Sequence, residues 1–284
     1  MEFLALMAAL GVYAWRGEAA PVQRDGWFHS LRQFLAGSMS GRGLQIAALL
    51  IPVVGLQLAY LWVGGVLGGL LELALLVFVL LYSLGRGNLG AAVEEYLQRW
   101  SRGDFEAARH VLAEDLDAGA EQPEDPASLH RAARRRLYLR AFERLYAVTF
   151  WFVLAGPAGA LAYRLARIED TDSSAASAVP ADRLPLLQWL EWVPARLLAL
   201  GFALVGDFDA CLHKWRDALS AEAVGTADVL EACGNAALDL QEPEAESPEQ
   251  LVARGAAELE SVQVLHRRAL VVWLVVIALF AMIG

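Results

Sequence analysis

The sequence predicts an all-α, polytopic integral membrane protein with five or six membrane segments and cytoplasmic helical hairpins. Three observations carry that expectation. First, 57% of the 284 residues are hydrophobic and only 20% are charged, with a mean hydropathy of +0.41. Soluble domains run nearer 45–50% apolar and about 25% charged. Second, several apolar stretches approach the roughly 20 residues needed to cross about 30 Å of hydrocarbon. Third, apolar residues in the charged segments recur at helical spacing, and no period-2 run demands a sheet. Other classes fall away on the same grounds. A net charge of −10 lacks the basic footprint of a nucleic-acid binder. Cys211 and Cys233 stand in no CxxC or zinc-type pattern, and two cysteines build no disulfide framework.

Residues 1–84 hold the N-terminal membrane segments, at about 1–15, 44–63 and 66–84. Met1–Trp15 is short and has no positive n-region, so it reads as a retained anchor rather than a signal peptide. Leu44–Leu84 is too long for one span and suits two, turning near Gly64–Gly65. Residues 85–144 form a cytoplasmic block. Val93, Tyr96, Leu97 and Trp100 line one helix, Ser101–Asp104 stops it and caps the next, and Phe105, Ala108, Val111 and Leu112 resume the pattern. This predicts an antiparallel hairpin, followed by an acidic linker at 121–126 and a basic juxtamembrane helix at 129–144. Residues 145–206 hold further membrane segments, Leu145–Leu165 and the less regular Pro194–Val205. Residues 207–268 are a second cytoplasmic helical region with an acidic linker at 242–249, and 269–284 make a last, shorter segment.

With six spans, the inside loops 16–43, 85–144 and 206–268 hold four, ten and five of the 23 Lys/Arg residues, and the external loop 164–196 holds four. The positive-inside rule then places the N-terminus outside and the large loops in the cytoplasm.

Two isolated charges stand in apolar surroundings, Arg196 and Glu72. A charge there must pair, face water or snorkel to the headgroups; a Glu72–Arg196 pair would let both survive, and a snorkelling Arg196 is the plainer alternative. Gly64-Gly65-Val-Leu-Gly68-Gly69 contains overlapping GxxxG patterns suited to close helix packing. Gly156-Pro157 interrupts a span, and Pro157 removes a helix hydrogen bond. Arg131, Arg134, Arg135, Arg136 and Arg140 fit anionic lipid headgroups, or phosphates held bidentately. Asp207/Cys211 and Asp209/His213 fall at i,i+4, but acids at a solvated helix start explain them better than a metal site.

Three stretches together resemble a known family: Leu154-Ala-Gly156-Pro157-Ala-Gly159-Ala-Leu-Ala-Tyr163-Arg164, Leu190-Glu-Trp-Val-Pro194-Ala-Arg196-Leu197, and the turn Arg102-Gly103-Asp104-Phe-Glu-Ala-Ala-Arg109. They are similar to the CobD/CbiB membrane enzymes of cobalamin biosynthesis, which join an aminopropanol unit to adenosylcobyric acid with ATP and magnesium. The polar motifs flanking the fourth span of that family are reduced here to Glu143 and Asp170. Size, the short C-terminal anchor and the reduced motifs resemble more closely the AmpE family, encoded beside the cell-wall amidase AmpD. That resemblance implies a multi-pass protein of the bacterial inner membrane, regulatory or sensory, linked to peptidoglycan-recycling signals and β-lactamase induction. On this reading the partners are the bilayer and a small anionic ligand, with no nucleic acid and with homo-oligomerisation left open. Arg196 anchors the ligand, and Asp170, Glu143, Tyr163, Arg131, Arg134 and Arg135 are further candidates. No catalytic residue is assigned, and the metal and cofactor are unassigned. The alternatives are a membrane-embedded amide-forming synthase, in which Glu143 and Asp170 hold magnesium and ATP is consumed, and a structural scaffold for a cytoplasmic partner.

Overall fold

The computed structural model describes residues 1–16, 23–66, 69–84, 87–114, 116, 123–176, 186–220, 224–240 and 247–283. They form helices α1 (Glu2–Arg16), α2 (Gly26–Ala36), α3 (Gly41–Val66), α4 (Gly69–Ser83), α5 (Leu89–Ser101), α6 (Phe105–Glu114) and α7 (Pro126–Ala141). A π-helical turn, Phe142–Tyr146, leads into α8 (Ala147–Ala176), followed by α9 (Leu186–Val205), α10 (Phe208–Ser220), α11 (Thr226–Ala237) and α12 (Pro248–Ile283). No strand occurs among the described residues. The all-α expectation therefore holds. Gly68 of the GxxxG stretch, residues 121–122 of the first acidic linker and residues 242–246 of the second lie outside the described residues.

Gly41–Trp62, Pro126–Asp172 and Glu249–Met282 are long and apolar enough to cross a membrane by length and composition, whereas Glu2–Tyr13 and Gly69–Ser83 are apolar but shorter. By this measure three spans stand among the described residues, and the expected five or six are not reached. Helices α1 and α4 are too short, with 15 residues each, about 22 Å of helix, and the 20-residue α9 carries Glu191 and Arg196 within its apolar run. The chain divides into two compact units, one of residues 1–87 and 147–191, the other of residues 88–146 and 192–284.

In the first unit, α1 packs on α4, and α3 and α4 pack on α8. Its core gathers Phe28 of α2, Ala48 and Leu49 of α3, Val79 and Tyr82 of α4, and Leu161, Leu165 and Ile168 of α8. Helix α8 is not one rod. Ala155 and Gly156 leave helical geometry, and Gly156 adopts φ 64°, ψ −158°, a region essentially restricted to glycine. Pro157 follows, where it has no N–H to contribute. The break folds the chain back on itself. A Cβ at Gly159 would collide with the Trp151 carbonyl oxygen and lie 2.7 Å from Ala155 Cβ, although eight residues along a straight helix separate atoms by about 12 Å. The segment expected as one span at Leu145–Leu165, interrupted at Gly156-Pro157, is thus a sharply bent pair of arms.

Ion pairs correct the expected loop arrangement as well. Asp25 binds Arg164 at 3.0 Å, Arg32 binds Glu169 at 3.0 Å, and His29 lies 3.2 Å from Asp172. Residues 25–32 and 164–172 therefore share one end of the unit, where the six-span reading put them on opposite sides of the membrane. The fold-back at Gly156 is the cause, because it returns the second arm of α8 to the end occupied by α2. Tyr82 donates to Asp25 at 3.0 Å there, and Gln23 donates to the Leu81 and Leu84 carbonyls at 2.9 and 2.6 Å. The other end carries Glu2 beside Gly156 and Met1 beside Gly69.

In the second unit, α5 and α6 form the expected hairpin. Asn88 caps α5 by accepting from Ala91 N, Gly103 turns at φ 72°, and Asp104 accepts from Ala107 N to start α6. The buried residues Val93, Tyr96 and Trp100, then Ala108, Val111 and Leu112, are those the periodicity selected. Asp125, Pro126 and Ser128 make a capping box at the start of α7, satisfying N–H groups that a helix start leaves open. Ser128 holds the Asp125 carboxyl below its ordinary range, its backbone N–H first and its hydroxyl second. Helices α11 and α12 pack on α7, and α10 packs on α11.

Candidate functional site

The second unit concentrates buried charge on helices that the sequence reading placed in its charged blocks. His130 and Arg134, one turn apart on α7, both reach Glu258 of α12, at 2.9 and 2.6 Å, and Arg254 completes the cluster from the preceding turn of α12. His130, Arg134 and Glu258 are all buried. Trp100 lies against the His130 ring at 5.3 Å and donates its indole N–H to the Val252 carbonyl. No side chain fits at Gly255, where a Cβ would meet Trp100 Nε1 at 2.9 Å and His130 Nδ1 at 3.1 Å. Next along α7, Arg135 binds Asp228 at 2.7 Å and Glu231 at 2.9 Å, both on α11. Arg140 donates to Glu143 at 3.1 Å and to the Leu116 carbonyl at 3.2 Å.

The basic helix is thus largely turned inward. Arg134 and Arg135 face carboxylates of their own unit, and Arg131 is the exposed member among the three candidates on that helix. Glu143 sits in the π-helical turn, buried beside Arg144. A π-bulge inserts one extra residue in a turn and shifts the side chains after it, a distortion frequent at functional sites.

Arg196 is the candidate with the most unusual setting. It is 5% exposed, on the part of α9 that belongs to the second unit. Its guanidinium lies 4.1 Å from the Trp192 ring centroid, Nη1 donates to the Trp192 carbonyl and Nη2 to the Ala218 carbonyl at the end of α10. Trp215 of α10 donates to the Arg196 carbonyl at 2.9 Å, so α10 is fastened to α9 from both sides. Carbonyl dipoles and an aromatic face solvate the cation, but no carboxylate pairs with it among the described residues, and its Nε makes no hydrogen bond there. Glu72 accepts from Tyr60 at 3.2 Å within the first unit. Each member of the expected Glu72–Arg196 pair therefore finds its hydrogen-bond partners inside its own unit.

Tyr163 and Asp170 belong to the first unit. Tyr163 is buried on the returning arm of α8 and donates to Glu191 at 2.9 Å; Asp170 is partly buried, next to Glu169 in the ion-paired end. Sequence reasoning missed Glu191, Glu169, His130, Glu258 and His266. His266 is buried among Tyr138, Tyr146 and Phe202, with ring centroids 5.2–5.8 Å away, and neither ring nitrogen has a hydrogen-bond partner among the described residues. Only the i,i+4 spacing of Arg254 and Glu258 was visible in the sequence. Nothing local announces a partner 128 residues away.

The AmpE family, described as "Regulatory signalling modulator protein AmpE", matches residues 23–284. The chain is 30% identical over 229 residues to the cobalamin biosynthesis protein CobD of Stutzerimonas stutzeri, covering 75% of this chain and 73% of that protein. It is 27% identical over 155 residues to the CobD of Chromobacterium violaceum, covering 52% of this chain and 48% of that protein. No solved structure matches.

Proposed function

The chain belongs to the AmpE family, and on that premise we propose that it is a multi-pass protein of the bacterial inner membrane that couples peptidoglycan-recycling signals to β-lactamase induction by binding a small anionic ligand. The observation that carries the binding half of this reading is Arg196. A buried cation surrounded by carbonyls and an indole keeps its charge uncancelled, and a planar guanidinium suits carboxylate or phosphate. The anion takes the place that the Ala218 carbonyl now holds, which couples occupancy to the position of α10. The further spans of this reading are α1 and α4, which accompany the three longer apolar stretches, the bent α8 lying within one of these.

Orientation follows from the arginines. Arg24, Arg32, Arg42, Arg164 and Arg167 belong to the ion-paired end of the first unit, while the stretches 1–13, 60–72 and 147–163 carry no Lys or Arg at all. The positive-inside rule puts the arginine end in the cytoplasm.

A second reading is an amide-forming synthase of the CobD type, favoured by the 30% identity to a CobD protein. Its magnesium would fall to Glu143 and Asp170. These carboxylates lie in different units, Glu143 already accepts from Arg140, and no group of three or more His, Cys, Asp or Glu among the described residues is placed to hold a metal. The donor set does not fit a ready-made site.

The test is thermal stabilisation of the purified protein by ATP, corrinoids, anhydro-muropeptides and UDP-sugar peptides, each with and without magnesium. A ligand at about 100 times its dissociation constant adds about 2.7 kcal/mol. Stabilisation by a muropeptide that disappears in Arg196→Gln supports the regulator. Magnesium-dependent stabilisation by ATP or a corrinoid supports the synthase. No stabilisation by any of them overturns the ligand-binding reading.

A further inference from the structure

Helix α2 has two unlike sides. On one, Phe28 is fully buried and Leu35 packs against the same core of the first unit, while Arg32 and His29 pair with Glu169 and Asp172 of α8. On the other, Trp27 and Phe34 stand seven residues apart, at nearly the same angle around the helix, and are 43% and 80% exposed. Trp27 donates its indole N–H to Tyr82 at 3.1 Å, so its polar edge is satisfied while half of the ring faces outward. Met39, in the link to α3, is also exposed, and the exposed apolar surface continues along α3 through Ile46, Leu50, Val54 and Leu58. Helix α3 is one of the three stretches long and apolar enough to cross a membrane. A water-facing helix would gain nothing from presenting Phe34 this way, and the ion pairs on the opposite side hold α2 in place.

We propose that α2 is an interfacial helix, lying along the headgroup–acyl boundary of the leaflet that α3 enters, with Trp27 and Phe34 in lipid. The occupant of this apolar face is the bilayer because the face is continuous with the exposed side of α3 and because tryptophan concentrates at that boundary. The flanking polar residues, Arg24, Ser30 and Gln33, are exposed, as a helix with one side in acyl chains and the other in headgroups requires. The first arginine-bearing segment is thereby fixed at membrane level, and with it the end of the unit where Asp25, Arg32, Arg164 and Glu169 meet. This inference rests on the membrane reading of α3.

The experiment places a maleimide-linked fluorophore at Phe34→Cys, at Ser30→Cys and at Leu58→Cys in separate full-length proteins. Cys211 and Cys233 are buried, and the unsubstituted protein reports their background labelling. Each protein is reconstituted into vesicles of equal parts phosphatidylcholine and phosphatidylglycerol containing lipids with a nitroxide either near the headgroup or deep in the chain. A helix seated about 5–10 Å into the boundary gives roughly twofold stronger quenching by the shallow nitroxide than by the deep one at residues 34 and 30, while residue 58 is quenched best by the deep one. Quenching of residues 34 and 30 by aqueous iodide alone, with residue 58 still quenched in lipid, overturns the interfacial helix and leaves the membrane reading standing. Preferential deep quenching at residue 34 overturns it too. Absence of lipid quenching at all three positions overturns both. Ser30 is exposed and lies outside the core, so the proposal does not depend on the folding of the Phe34 variant.

Discussion

Replacing Glu258 by alanine removes the single carboxylate on which His130, Arg134 and Arg254 converge. Glu258 and Arg134 are 6% and 7% exposed, so water does not reach the cation left behind. Breaking a buried pair by deleting one partner costs about 3–5 kcal/mol. At roughly 2–4 °C per kcal/mol for a chain of this order of size, the midpoint of thermal unfolding should fall by about 10 °C. Arg254→Ala is the internal comparison. Arg254 is 26% exposed and pairs within its own helix, a setting worth about 1 kcal/mol or less, so its loss should be several-fold smaller. The double variant Arg134→Met/Glu258→Leu should recover most of the loss, since a well-packed apolar pair can match a buried ion pair. Intrinsic fluorescence during heating in detergent reads all of them, with Trp100 beside the cluster as a local reporter. A Glu258→Ala midpoint within about 2 °C of the parent, equivalent to under 1 kcal/mol, refutes the claim that the cluster is a closed, water-free lock.

Other consequences follow from single features. Gly156→Ala forces a Cβ into φ 64°, ψ −158°, which costs about 1–3 kcal/mol; the variant should unfold earlier, and an unchanged midpoint would mean that the fold-back tolerates another geometry. Cys211 and Cys233 are buried, and the hydrogen bond to Cys211 and burial push the Cys233 thiol up. Maleimide should therefore leave both unlabelled in the native protein and label both after denaturation, and rapid native labelling would contradict the packing of α9, α10 and α11. Asp125→Ala should raise amide exchange at the start of α7 alone. Because Ser128 holds the Asp125 carboxyl below its ordinary range, the cap's contribution is complete above the ordinary carboxylate pKa and is lost as pH falls through the lowered one; exchange corrected for intrinsic rate should show protection at neutral pH fading in acid.

What the sequence made legible was local. The α5–α6 hairpin could be read because apolar spacing, Gly103 and the Asp104 cap all act within a few residues of one another. The break at Gly156-Pro157 was visible as a break, but its angle was not. A glycine and a proline in sequence permit a kink, and the close approach of Gly159 to Trp151 is what turns it into a reversal. That reversal moved residues 164–172 to the same end as 25–32, which no local pattern foretold. The arginines of α7 were visible as a basic cluster, and their partners Glu258, Asp228 and Glu231 lie 93–124 residues further along. Arg196 stood out because a charge in an apolar run is expensive; its solvation by the Ala218 carbonyl and the Trp192 ring depends on how α10 returns to α9.

The measurement closest to the central claim is the ratio of induced to basal β-lactamase activity in cells whose only copy of this chain carries Arg196→Gln, with membrane levels of the protein checked by immunoblot. The account predicts that the induction ratio collapses toward one while the protein remains in the membrane at parental levels. Parental induction in the Arg196→Gln cells would contradict it and remove Arg196 from any regulatory role.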